Sequence, residues 1–225
     1  MPYRDIICLA NSWREGGHCF AGKDVNTGEW IRPIGKKSDA IIENEQTYRN
    51  RFGYPKLLDI VRVPLEPNRT SNSSIPYQTE NYRISGDPWE YAGKITWEET
   101  KKLVDGEMAS LWGKRQSIFE SSFEQYNNSL ALIELPRLML KGIKKEGRVK
   151  RQLRGVFQYA EYEYDLPITD LVFDKDNDSM KVGEEKRITE NMLICVSLGG
   201  PYEVNGSKYA SKLIAGIMVS NNARK

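Results

Sequence analysis

Short apolar runs separated by polar turns mark most of the 225-residue chain. Asp5-Ile6-Ile7-Cys8-Leu9-Ala10 predicts a buried strand. A hairpin follows over residues 18–33, with Asn26-Thr27-Gly28 supplying residues that tolerate positive φ at its turn. Leu57 to Pro64 is rich in β-branched residues and predicts a further strand, and Gln78 to Ile84 another. Thr96 and Glu99 form a capping-box pair at the head of a predicted helix over 97–112, with Gly106 as a point where it can split. Residues 113–128 read as helix plus loop. Beyond them, Ser129–Leu135, Val156–Tyr159, Tyr162–Leu166, Met192–Leu198 and Lys212–Val219 are strand-like, and a polar loop is predicted from Ile168 to Glu185.

Many short strands with glycine-containing turns favour small barrels over a parallel sheet. The pattern divides into a β-rich segment at 1–92, a helical connector at 93–128 and a second β-rich segment at 129–225. The fold class expected is mainly β.

Composition narrows the chemistry. No apolar run reaches the roughly 20 residues that span a bilayer, and the first residues lack a signal-peptide pattern. Three widely spaced cysteines, Cys8, Cys19 and Cys195, argue against a disulfide framework and for a reducing cytoplasm. The single histidine, His18, would have to serve any Ser-His-Asp or Cys-His set, and its neighbour Cys19 points to the other strand face. No C-x-x-C, H-x-x-x-H or phosphate-cradling glycine motif occurs. Asp59, Glu80, Asp170 and Asp174 could serve magnesium chemistry, but no spacing ties them together. No metal and no cofactor are expected.

Charge is unevenly spread. Residues 137–154 carry eight basic side chains and one acid, a local +7 in a chain whose net charge is +2, which leaves −5 elsewhere. Lys141, Lys144, Lys145, Arg148, Lys150 and Arg151 in this segment are candidates for neutralising a phosphate backbone, the alternative being a solvated basic loop. Tyr162 and Tyr164 alternate just beyond it and could stack on bases. Trp30 and Arg32 stand two apart on one strand face, an indole beside a guanidinium, suited to a base and a phosphate.

Ordered pieces of the chain resemble a prokaryotic family, the dual OB-fold containing domain. They include Leu9-Ala10-Asn11-Ser12, Gly17 to Gly22, Gly28 to Pro33, Leu58 to Val61, Gln78 to Tyr82, Tyr164 to Asp170, Cys195 to Leu198 and Lys212 to Ala215. The resemblance implies two tandem OB-like barrels and a nucleic-acid-binding role in bacterial genome defence or repair. Polar residues within these motifs are site candidates: Ser12, Arg14, Trp30, Arg32, Gln78, Glu80, Asn81, Thr169, Asp170, Ser197 and Lys212. Gln78 and Asn81 carry the paired donors and acceptors that read base edges. Asn81, Thr169 and Asp170 could equally tie turns through backbone hydrogen bonds.

The leading expectation is a non-catalytic module for single-stranded DNA or RNA. A second is an enzyme or sensor holding a nucleotide-like molecule in a pocket between the barrels. A third is a scaffold subunit covered by a protein partner in a larger complex.

Overall fold

The computed structural model describes residues 3–14, 17–36, 47–51, 53–86, 88–144, 147 and 151–220. The chain forms two units, Met1–Leu103 with Asn127–Ser129, and Val104–Tyr126 with Leu130–Lys225. Both are mainly β.

In the first unit the strands are β1 (Tyr3–Arg14), β2 (Gly17–Asp24), β3 (Trp30–Ile34), β4 (Asp59–Arg69), β5 (Asn81–Ile84) and β6 (Glu90–Lys94). They run in the order β1-β2-β3-β5-β4-β6, and β1 also pairs with β4, so five of them close into a barrel. The pairing of β3 with β5 is parallel. Alternate positions of these strands, among them Ile6, Cys8, Val61, Val63 and Leu65, fill the interior with Phe20, Ile31, Tyr82 and Trp89. Closure needs Gly22: a Cβ there would lie 1.8 Å from the Ile7 carbonyl oxygen. The predicted hairpin is present. Asp24 Oδ1 accepts from the Asn26 and Thr27 N–H groups at 2.8 and 3.0 Å, and Gly28 takes φ +70°.

The predicted helix is much shorter than its apolar spacing suggests. It is α1 (Trp97–Lys101), opened by the capping box of Thr96 and Glu99. The strand expected from Gln78 starts only at Asn81, because Gln78 N–H closes a turn on the Ile75 carbonyl at 3.1 Å.

The second unit contains β7 (Ser117–Phe119), a 3-10 helix (Glu120–Gln125), β8 (Leu130–Leu135), β9 (Leu138–Ile143), β10 (Gln152–Tyr159), β11 (Tyr162–Pro167), α2 (Leu171–Asp176), β12 (Glu185–Ile188), β13 (Met192–Val204) and β14 (Ser207–Val219). One sheet has the order β11-β10-β9-β12 and the other β7-β14-β13-β8. A parallel bridge joins Ile168 to Ile214. Asp105 explains the early end of α1's pattern. Its N–H bonds the Leu132 carbonyl at 2.9 Å and its carboxylate accepts from Leu132 N–H at 2.7 Å, so this stretch lies along β8 instead of continuing a helix. The fold is the expected one, mainly β with OB-like units, and its helical content between them is small.

Candidate nucleic-acid interface

The sheet β11-β10-β9-β12 has one buried and one open face. Leu138, Leu140, Leu153, Phe157, Tyr164 and Leu166 point inward. The alternate positions point outward and line up across strands. Arg187, Met139, Val156 and Asp165 form one row, and Glu185, Lys141 and Arg154 another. An open groove of about 400 Å³ crosses this face, lined among others by Arg137, Met139, Lys141, Val156, Gln158 and Arg187. Glu163 and Glu185 also reach it.

The cations of this face differ in their commitments. Lys141 Nζ lies 3.3 Å from Glu185 in an exposed pair, which contributes little and can exchange partners. Arg137 and Arg187 are exposed and make no ion pair among the described residues. Lys144 is exposed as well. By contrast, Arg154 donates to the Asp165 carboxylate at 2.5 Å, to the Asp165 carbonyl and to Gln116 at 2.9 Å.

Several candidates from the sequence do other work. The Arg151 side chain is buried. It donates to Asp174 at 2.7 Å, to the Met180 carbonyl at 2.8 Å and to the Asn177 carbonyl at 2.6 Å. A guanidinium so occupied ties β10 to the end of α2 and is not presented to a phosphate. Tyr164 is fully buried, stacked on Phe157 at 5.6 Å. Its hydroxyl accepts from Leu111 N–H at 2.9 Å and donates to the Gly113 carbonyl, and burial raises its pKa. It cannot stack on a base without opening the core. Tyr162 is half-buried on the same inward side. Lys145, Arg148 and Lys150, and the side chain of Arg14, lie outside the described residues.

In the first unit Arg32 is buried rather than displayed. Its Nη2 lies 3.2 Å from Glu80 Oε1, which also accepts from the Ser129 hydroxyl. The reason is local: β3 lies beside β5, so the Arg32 backbone N–H meets the Glu80 carbonyl at 2.8 Å and the two side chains face each other. Trp30 is half-buried, with Lys23 Nζ 5.3 Å from its ring centre. Asn81 donates to Gln78 at 3.3 Å. Glu80 Oε2 and Asn81 Oδ1 accept no hydrogen bond among the described residues. Ser12 is buried on β1 opposite Cys19. His18 is half-buried, with Nδ1 3.1 Å from Asn11 Oδ1 and Trp13 and Tyr54 on either side.

The remaining candidates hold the second unit together. Thr169 bonds the Ile214 carbonyl through N–H and hydroxyl. Asp170 caps α2, accepting from Val172 and Phe173, and its other oxygen accepts from Ile217 N–H at 3.0 Å. Ser197 donates to the Leu198 carbonyl. Lys212 is fully buried, and its ammonium donates to the carbonyls of Gly113 and Arg115. Desolvation lowers its pKa to about 8.

Among the described residues no group of three or more His, Cys, Asp or Glu is placed to hold a metal ion, and no helix is long and apolar enough to cross a membrane. Arg187 and Gln158 were not singled out by sequence. The signal for Gln158 was the alternation of Leu153 and Phe157 with Arg154, Val156 and Gln158 along β10, whereas the exposed strand β12 offers no such alternation around Arg187.

A closed five-stranded barrel, followed by a second β unit of two sheets, makes this a protein of the dual OB type. Residues 4–217 match the family model described as the dual OB-containing domain, and the chain belongs to that family. Comparison with curated proteins finds no match.

Proposed function

We propose that this protein is a non-catalytic module that binds single-stranded nucleic acid across the open face of β9, β10, β11 and β12. The groove on that face carries the reading. Its apolar floor of Met139 and Val156 suits unpaired bases, and Arg137, Lys141 and Arg187 surround it with charge for phosphates. A setting in genome defence or repair belongs to the same reading.

Fluorescence anisotropy with labelled single-stranded DNA, single-stranded RNA and duplex, each at two salt concentrations, tests it. Binding should weaken as salt rises. The double variant Arg137→Ala with Arg187→Ala should flatten the slope of log K against log salt by about 1.4, two single-strand phosphate contacts. Salt-independent binding, or none at low salt, overturns the reading.

A nucleotide-like ligand in the first unit is the second reading. The buried Glu80 Oε2 and Asn81 Oδ1, which accept no hydrogen bond among the described residues, favour it. A thermal shift with mononucleotides that persists in the Arg137→Ala, Arg187→Ala variant would support it over the first.

A further inference from the structure

The groove is bordered by acids as well as cations, and the two acids differ in what they meet. Glu185 is neutralised by Lys141 at 3.3 Å. Glu163 makes no ion pair among the described residues. Its carboxylate accepts from Gln158 Nε2 at 3.3 Å. An open carboxylate in a groove meant for phosphates opposes binding unless the ligand brings a donor to it. Strand register sets its place. Gln158 on β10 stands directly opposite Glu163 on β11, so the two share a face. Val156 lies two residues before Gln158 on that face, and Met139 stands opposite Val156. The pair thus borders the apolar floor at one strand repeat, roughly 7 Å along β10. A purine resting on that floor brings its edge to the pair.

The order of donors and acceptors follows from the side-chain chemistry. A carboxylate only accepts, so the Gln158 amide turns its nitrogen toward Glu163. That nitrogen spends one N–H on the carboxylate and has a second to offer. Both side chains are exposed and reach the groove. Read across the pair, the order is acceptor, acceptor, donor. Guanine presents the complement on its Watson–Crick edge, with N2–H and N1–H beside the O6 acceptor. Thymine and uracil set one N–H between two carbonyls. Adenine and cytosine carry a ring nitrogen acceptor beside the amino group. Each of these three patterns turns a lone pair toward the carboxylate. An arginine from a protein offers paired N–H donors too, but it brings a positive charge into a groove that holds Arg137 and Arg187. A guanine nucleotide carries donors on its base and negative charge on its phosphate, so one residue of a strand answers both signs.

We propose that Glu163 and Gln158 form a guanine-selective subsite of the groove, in which the carboxylate accepts from N1–H and N2–H and the Gln158 amide donates to O6. This rests on the nucleic-acid reading above and names the base that it prefers.

The test uses the full chain and three labelled strands of one length: oligothymidylate, the same strand with a single central guanine, and the same strand with hypoxanthine at that position. The guanine strand should bind about tenfold more tightly than oligothymidylate. Hypoxanthine lacks the 2-amino group and should fall between them. Glu163→Gln replaces one of the two acceptors by a donor and should erase the guanine preference. Oligothymidylate should then bind slightly more tightly, since a negative charge has left the path of the phosphates. Gln158→Leu should reduce the preference by removing the donor to O6. Both positions are exposed, so the variants should keep the melting transition of the unaltered protein. Equal affinity of the unaltered protein for all three strands overturns the subsite and leaves the groove standing. A guanine preference that survives intact in both variants overturns the assignment to this pair. Guanosine monophosphate that competes as strongly as the guanine strand overturns the strand as the source of the base. If the unaltered protein binds none of the strands at low salt, the nucleic-acid reading falls and the subsite with it.

Discussion

Arg32 and Arg187 both sit on short strands of OB-like units, yet their surroundings give them opposite tasks. Arg32 is enclosed where β3 meets β5, its guanidinium set against Glu80, with Ser129 on the same carboxylate oxygen. Arg187 stands at the open edge of a four-stranded sheet, beside a groove and without an ion pair among the described residues. One charge is satisfied from within the fold, and the other is available to a ligand. Whether a polar residue in a strand serves architecture or binding is decided by what lies over its face, not by its type.

Exchanging carboxylate for amide in the two regions should separate these tasks most sharply. Glu80→Gln removes the carboxylate charge that lies 3.2 Å from the buried Arg32 guanidinium. Breaking one half of a buried pair in this way is expected to destabilise by about 3–5 kcal/mol. A urea titration of the variant should show a large drop in midpoint. A change under about 1 kcal/mol would mean that water reaches the pair and that the first unit is more open than its geometry states.

Lys212 offers a test through pH. Its ammonium is buried against the carbonyls of Gly113 and Arg115 with the Tyr164 ring 5.1 Å away, and its pKa falls to about 8 from an ordinary 10.5. Between those values the unfolded chain holds the proton that the folded chain has released. Stability therefore rises with pH across that window, and below about pH 8 the full desolvation penalty is present. Relative to Lys212→Met, the unaltered protein should gain stability from pH 8 to 10.5, measured by urea unfolding at each pH. A difference that stays flat would show that the ammonium is fully compensated by the two carbonyls.

The sequence disclosed the parts of the fold where pattern and turn chemistry agree. The hairpin at 18–33 is legible because Asp24, Asn26 and Gly28 each meet a local requirement of its turn. β9 is harder to see, since Lys141 and the cations around it make an outward strand face resemble a solvated loop. α2 escaped because Phe173 is its one fully buried side chain, and its start is fixed by Asp170 and Ile217 rather than by periodicity. The pattern overstates the helix from Trp97 because Thr100, Val104, Met108 and Leu111 keep helical spacing, while Asp105 is drawn to β8. The site was less legible than the fold. Nothing local distinguishes Arg32 from Arg137.

The smallest effect on stability is expected at Glu185, and it carries the sharpest functional sign. Glu185 pairs with Lys141 at 3.3 Å with both side chains exposed, so Glu185→Gln should change stability by less than about 1 kcal/mol. The same carboxylate borders the groove among Arg137, Lys141 and Arg187. Removing it releases Lys141 and takes a negative charge from the path of a phosphate. Single-strand affinity at low salt should therefore rise a few-fold, with the gain fading as salt screens it. Tighter binding from the loss of a charge, at unchanged stability, is the signature of an open electrostatic face. Weaker binding in Glu185→Gln would mean that the carboxylate itself meets a donor on the ligand, and the groove would then read bases as well as backbone.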